Sequence, residues 1–283
     1  MRTMRLPSRD PSYGQPSMLR QGAKMRLLIG FAVAAFALFS YFQSAEINPV
    51  TGESQHISLT PRQEIAMGLQ AAPEMARQYG GLHPDRNAQA MVEAVGQKVV
   101  QNSAAKDTQW QFDFHLLADS QTVNAFALPG GQIFITAALF SRLQTEGQLA
   151  GVLGHEIGHV IARHSAQRMA KSQLTQGLIG AVAVASQSAN AAQTAQMVGE
   201  MINIRYGQGD ELQSDRLGVK FMAQAGYDPR SMIGVMKILE EASGGARQTD
   251  FFSTHPSPTD RIGRIEEAIA EDFPNGVPSG LTP

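Results

Sequence analysis

Hydrophobic positions follow three rhythms along this chain, and each rhythm predicts its own kind of element. Residues 27–42 are largely apolar and end on Tyr41 and Phe42. That run is longer than a signal-peptide core of about 7–15 residues and just short of a spanning helix of about 17–25. Residues 61–79 and 85–102 space their apolar positions as helices do. Thr60-Pro61-Arg62-Gln63 supplies the first of them with a cap, a first-turn proline and a closing Gln. Residues 110–117 alternate instead, with Trp110, Phe112, Phe114 and Leu116 on one face. This predicts a strand whose polar, surface side carries His115. Residues 123–128 and 132–136 flank Pro129-Gly130-Gly131 and predict a hairpin. From 146 to 164, Leu149, Val152, Leu153, Ile157, Val160 and Ile161 recur so as to bury a helix over most of its circumference. Further helices are expected from near Asp210, over 230–242 and over 259–270, with 251–258 as a loop.

Composition adds a direction to this layout. The 283 residues suit one catalytic domain with appendages. There is no cysteine, so disulfides and thiolate metal sites are excluded. Residues 1–26 carry six basic side chains against Asp10, a charge of +5, and the remainder is −7. No basic stripe suggests nucleic acid. The segment 1–24 reads as basic and disordered, and 25–43 as an anchor or signal segment. Small-residue pairs such as Ala35-Phe36-Ala37 lie inside the apolar run, not after it. An uncleaved membrane anchor is therefore expected in preference to a cleaved signal. The positive-inside rule then leaves the basic end in the cytoplasm and the rest in the periplasm, at the inner membrane. Periplasmic release after cleavage is the alternative, and an Arg-rich, acid-poor start also fits a mitochondrial presequence. Residues 44–60 read as a linker, 61–272 as the catalytic domain and 273–283 as a flexible tail.

The buried helix carries the chemistry. His155-Glu156-Ile157-Gly158-His159 is an H-E-x-x-H motif. Positions i and i+4 lie about 40° apart round a helix and about 6 Å apart along it. Both imidazoles can therefore reach one point, as a zinc ion at about 2.0–2.1 Å requires. Glu156 stands beside that point, placed to take a proton from a water that zinc has acidified. Burying these groups unpaired would cost several kcal/mol. Gly151, Gly154 and Gly158 also weaken the helix, which implies that another backbone packs against it.

A third protein ligand is still needed. The arrangement H-E-x-x-H-x-x-G-x-x-H is excluded, because Ala162 and Ser165 occupy its last two positions. His164 falls about 140° round a continuous helix from His159 and would point away. The better candidate is Glu211, which shares a predicted helix face with Asp215 at i+4. One carboxylate can bind the ion while the other orients a ligand histidine.

H-E-I-G-H, followed some fifty residues later by E-x-x-x-D, resembles the gluzincin metallopeptidases of family M48, relatives of the CAAX prenyl protease and HtpX. Asn124-Ala125-Phe126-Ala127-Leu128-Pro129-Gly130-Gly131 and His255-Pro256-Ser257 resemble further segments of that family, so the likeness runs from about 61 to 272. It implies an α+β, mostly helical, zincin-like domain with a small sheet beside the H-E-x-x-H helix. It implies one Zn2+ per chain on His155, His159 and Glu211, with Glu156 as general base and Asp215 behind a ligand histidine. His255 would donate to the oxyanion or cap the zinc in a resting form, and Arg261 would contact substrate or oxyanion. Asn124, Ala125 and Phe126 would form an edge strand on which substrate adds.

The activity expected is that of an endopeptidase acting on unfolded or misfolded envelope proteins. The alternative is a membrane-anchored chaperone or assembly factor with a latent zinc site. A single apolar segment, rather than several, argues against CAAX processing. Residues 171–208, rich in Ala, Gln, Ser and Gly, form either a helix packed in the core or a flap gating the cleft. Oligomeric state is left open.

Overall fold

The computed structural model describes residues 17–186, 207–243, 250–256 and 260–283. An N-terminal helix, α1 (Ser17–Gln43), starts inside the segment expected to be disordered and leads into an antiparallel hairpin, β1 (Ala45–Ile47) and β2 (Ser54–His56). That hairpin replaces the expected linker. Asn48 shapes its turn, accepting at Oδ1 from the Val50 and Thr51 amides, and its Nδ2 donates to the Ile161 carbonyl at 2.8 Å. The segment is thus tied to the catalytic domain.

Helices α2 (Pro61–Gln78) and α3 (Arg86–Gln101) fall where periodicity places them. Thr60 and Gln63 cap α2 reciprocally, and Asp85 caps α3. The sheet runs β3 (Asp113–Leu117), β5 (Gln132–Thr136), β4 (Ala125–Ala127), with β3 parallel and β4 antiparallel to the buried central β5. Gln89 of α3 answers the outer backbone of β3, donating to the Phe114 carbonyl and accepting from the Leu116 amide, each at 2.7 Å. The other end of the sheet, β4, has no strand beyond it among the described residues. His115, expected at the surface, is half-buried instead: it stacks on Phe134 and lies 2.9 Å from the Gln132 side chain.

After α4 (Ala137–Phe140) comes α5 (Glu146–Ile161), in which every residue from Leu149 to Ile161 is buried. Leu149, Leu153 and Ile157 meet Val219, Phe221 and Met222 of α7 (Gln208–Gln224) in one core. Full burial of such side chains stabilises by about 1.5–3 kcal/mol each. The two helices approach until main chain meets main chain. A Cβ on Gly158 would stand 3.0 Å from the Ser214 carbonyl, and one on Gly154 3.3 Å from that of Gly218. This is the close packing that the glycines imply.

The helix was expected to continue to 164 but stops at Ile161. Arg163 takes a left-handed conformation, φ 57°, and a new helix, α6 (His164–Ser186), sets off from there. Within residues 177–185 only Ala181 is buried, and α6 packs along α1 rather than in the core. Residues 187–206, the rest of the expected flap, lie outside the described residues. Helices α8 (Ser231–Ser243), α9 (Asp250–Thr254) and α10 (Arg261–Asp272) follow, α9 within the expected loop. The tail is fastened rather than frayed: Asp228 and Gly226 pair with Thr282, and the Gly147 amide donates to the Pro283 carbonyl at 2.9 Å.

Candidate metal centre

Two helices and one short helical turn bring the site together. His155 and His159 of α5 face Glu211 of α7, and each Nε2 lies 3.5 Å from a Glu211 oxygen. The two Nε2 atoms are 3.0 Å apart. His255, just past α9, joins them, so that His155, His159, Glu211 and His255 offer ligand atoms all within 4.8 Å of one another. Glu156 stands beside this group, with an oxygen 3.6 Å from His255 Nε2. All five side chains are buried.

Charge is distributed unequally among them. Burial opposes a proton on His155, but the hydrogen bond to Asp215 and the Glu211 carboxylate 3.5 Å away outweigh it and push the pKa up to about 9. Burial holds His159 well below the ordinary imidazole range, and the proton on His155 adds to this. Burial and the nearby positive charges take His255 down to about 3, so it is neutral. Burial pushes Glu156 up to about 7. Glu211 lies well below the carboxylate range, because the imidazoles of His155 and His159, each 3.5 Å from one of its oxygens, overcome the cost of burial.

Behind the ligands stands a second layer. Asp215, one turn beyond Glu211, has Oδ1 2.8 Å from His155 Nδ1. Arg261, expected to contact substrate or the oxyanion, engages Asp215 with Nε at 2.7 Å and Nη2 at 2.8 Å. Its Nη2 also lies 3.4 Å from Glu211. His164, expected to point away, is the residue that sequence reasoning misses. Its Nδ1 is 2.9 Å from His159 Nδ1 and its Nε2 2.7 Å from Gln213 Oε1. The break at Arg163 removes the continuous helix on which the 140° angle rested. That break is held in turn by Arg163 itself, which pairs with Glu64 and Glu46 and donates to the Leu59 carbonyl.

The edge strand β4 passes alongside α5. The Asn124 carbonyl accepts from Thr136 and the Leu128 amide donates to Gln132, so by antiparallel alternation Phe126 also faces β5. The outward backbone groups therefore belong to Ala125 and Ala127. The Ala127 amide pulls the Glu156 carboxyl downward, against its burial. Asn124 is buried, and its Oδ1 has no hydrogen-bond partner among the described residues.

Both oxygens of Glu211 and both of Glu156 are buried without a hydrogen-bond partner among the described residues. Carboxylates so placed are costly unless a cation is present. An ion at the meeting point of two imidazoles and one carboxylate answers Glu211, and the donor set is that of a divalent transition metal. The residues fit such an ion.

A buried H-E-x-x-H helix, a downstream glutamate and a small sheet whose edge is free among the described residues define a zincin-like domain. The chain belongs to peptidase family M48, whose model matches residues 86–269. It is 30% identical over 250 residues to the beta-barrel assembly-enhancing protease of Escherichia coli (strain K12), covering 83% of this chain and 49% of that protein. It is 27% identical over 254 residues to the mitochondrial metalloendopeptidase OMA1 of Schizosaccharomyces pombe, covering 88% and 73% respectively. To OMA1 of Saccharomyces cerevisiae it is 26% identical over 239 residues, covering 78% and 68%. The chain spans about half the length of the bacterial relative. Peptidases of this family depend on a metal, and the buried His and Glu group of this chain is of the kind that holds one.

Proposed function

We propose that this chain is a zinc endopeptidase, anchored in the inner membrane by α1 with its catalytic domain in the periplasm, that cuts misfolded envelope proteins. The observation that carries the reading is the convergence of His155, His159 and Glu211 beside the unpartnered carboxylate of Glu156. When bound, zinc polarises the scissile carbonyl and lowers the pKa of the attacking water toward about 7. Glu156 accepts the proton of that water and delivers it to the leaving amine, and a carboxyl pushed up to about 7 suits both roles. Asp215 fixes the tautomer of His155 and Arg261 holds Asp215 in place, which makes Arg261 a positioning residue. An extended substrate adds to β4 through the outward backbone of Ala125 and Ala127, with little regard for its side chains. The names of the relatives, one concerned with β-barrel assembly and the other mitochondrial, favour an envelope or mitochondrial-membrane setting.

The test is cleavage of an unfolded protein by the full chain, wild type against Glu156→Gln, at matched zinc content. Cutting by wild type alone supports the assignment, and equal cutting by the variant refutes it. Zinc-loaded wild type that binds the substrate and never cuts it would favour the chaperone alternative.

The place of His255 within the ligand group favours a closed resting form in which it caps the metal. His255→Ala should then raise basal cleavage. A fall of about 10²–10³ in kcat would instead mark His255 as an oxyanion donor.

A further inference from the structure

Helix α6 leaves the metal centre and runs antiparallel along α1. Near its start, Ala170, Gln173 and Leu174 line a cavity with Ser40 and Tyr41. Further along, Gly177 meets Ala37, and beyond it Ala181 and Ala185 meet Gly30. The contact is close: a Cβ on Gly177 would stand 2.6 Å from that of Ala37, and one on Gly30 2.9 Å from the Ala181 carbonyl and from the Ala185 methyl. Small residues that let two helix backbones approach are how helices associate in lipid.

The remaining faces of the pair are apolar and open. On α1, Phe31, Phe36 and Phe39 are 73, 71 and 61% exposed, and on α6, Leu178, Val182 and Val184 are exposed too. So many large apolar side chains left uncovered on two paired helices are more than soluble surfaces usually carry. After Lys171 the sequence holds no charged residue until Glu200.

We propose that residues 174–186 of α6 lie within the bilayer beside α1, with lipid acyl chains covering Leu178, Val182 and Val184. The proposal rests on the reading of α1 as an uncleaved anchor. The aromatic pair Tyr41 and Phe42 sits where a headgroup boundary is expected. Gly177, level with Ala37, is then about 6 Å below that boundary, and Ala185, level with Gly30, about 17 Å below it. A hydrocarbon core is about 30 Å thick, so the end of α6 passes its middle. A helix buried to that depth is a membrane element rather than a lid in the periplasm.

The absence of native cysteine makes depth directly measurable. Val182→Cys and, on the same open face, Leu178→Cys are each labelled with a polarity-sensitive fluorophore in the full chain. Phe36→Cys on α1 and Lys220→Cys on the exposed side of α7 are the references. All are reconstituted in phosphatidylethanolamine–phosphatidylglycerol vesicles with or without brominated acyl chains. Brominated lipid should remove most of the emission at positions 182, 178 and 36 and leave position 220 unchanged. Quenching at 36, with 178 and 182 unquenched and open to a membrane-impermeant maleimide, overturns the proposal and spares the anchor. No quenching at any of the three overturns the anchor reading, and the proposal with it.

Discussion

The Nδ1 atoms of His159 and His164 lie 2.9 Å apart, so a candidate ligand is braced by a second imidazole rather than a carboxylate. With Nε2 of His159 turned to the metal position, its Nδ1 carries the proton and donates it. His164 then donates from Nε2 to Gln213 Oε1. Groups that orient a ligand histidine in this way are typically worth about 10–100-fold in metal affinity. His164→Ala should weaken zinc binding by that order, as read by chelator competition. Unchanged affinity would show that the contact orients nothing.

On the proposed reading, zinc and a proton would compete for His155. In the metal-free protein its pKa is pushed up to about 9, so the stability it contributes is complete below about 6.5 and is lost as pH rises through about 9. Zinc bound there would have to displace that proton, so apparent affinity should climb by about tenfold per pH unit toward 9 and then level off. Competition titrations from pH 6 to 9 test this, as does the proton released on binding in buffers of different ionisation enthalpy. A flat profile would refute it.

Where α5 meets Ser214 there is no room for a branched side chain. Gly158→Val must move main chain rather than a flexible side-chain end. Overpacking of this kind costs about 1–3 kcal/mol. Urea unfolding should show that loss together with reduced zinc content, while Gly158→Ala loses less of both.

Arg163 is buried against Glu64. Arg163→Leu strands a buried carboxylate, at a cost of roughly 3–5 kcal/mol. Burial already pushes the Glu64 carboxyl up, and Arg163 is what pulls it back down. The defect should therefore shrink as pH falls and Glu64 takes a proton. Adding Glu64→Leu should restore most of the loss at neutral pH, measured as the change in Tm.

What could be read from the sequence is what a single helical turn determines. His155 with His159, and Glu211 with Asp215, need only i and i+4 spacing to share a face, and the structure brings the two faces together. The position of His164 depends on the turn at Arg163, and that turn depends on Glu46 and Glu64, about a hundred residues earlier. No local pattern encodes it. The hairpin over 45–56 hangs similarly on Asn48 reaching Ile161. The Ala- and Gly-rich stretch of α6 reads alike for a core helix and a flap over the cleft, and its packing along α1 is a contact distant in sequence. The last residues of the tail dock by backbone bonds at Thr282 and Pro283, which leave no side-chain signature.

Gly154 and Gly158 on one helix, and Gly218 and Ser214 on the other, close α5 on α7 main chain to main chain, with little to act as a spring. The pair works like a caliper locked at one gauge, with two imidazoles on one jaw and a carboxylate on the other. Such a fixture has little slack. The ion should escape in the same cooperative event that parts the jaws, so that on heating metal release and loss of helix trace a single curve.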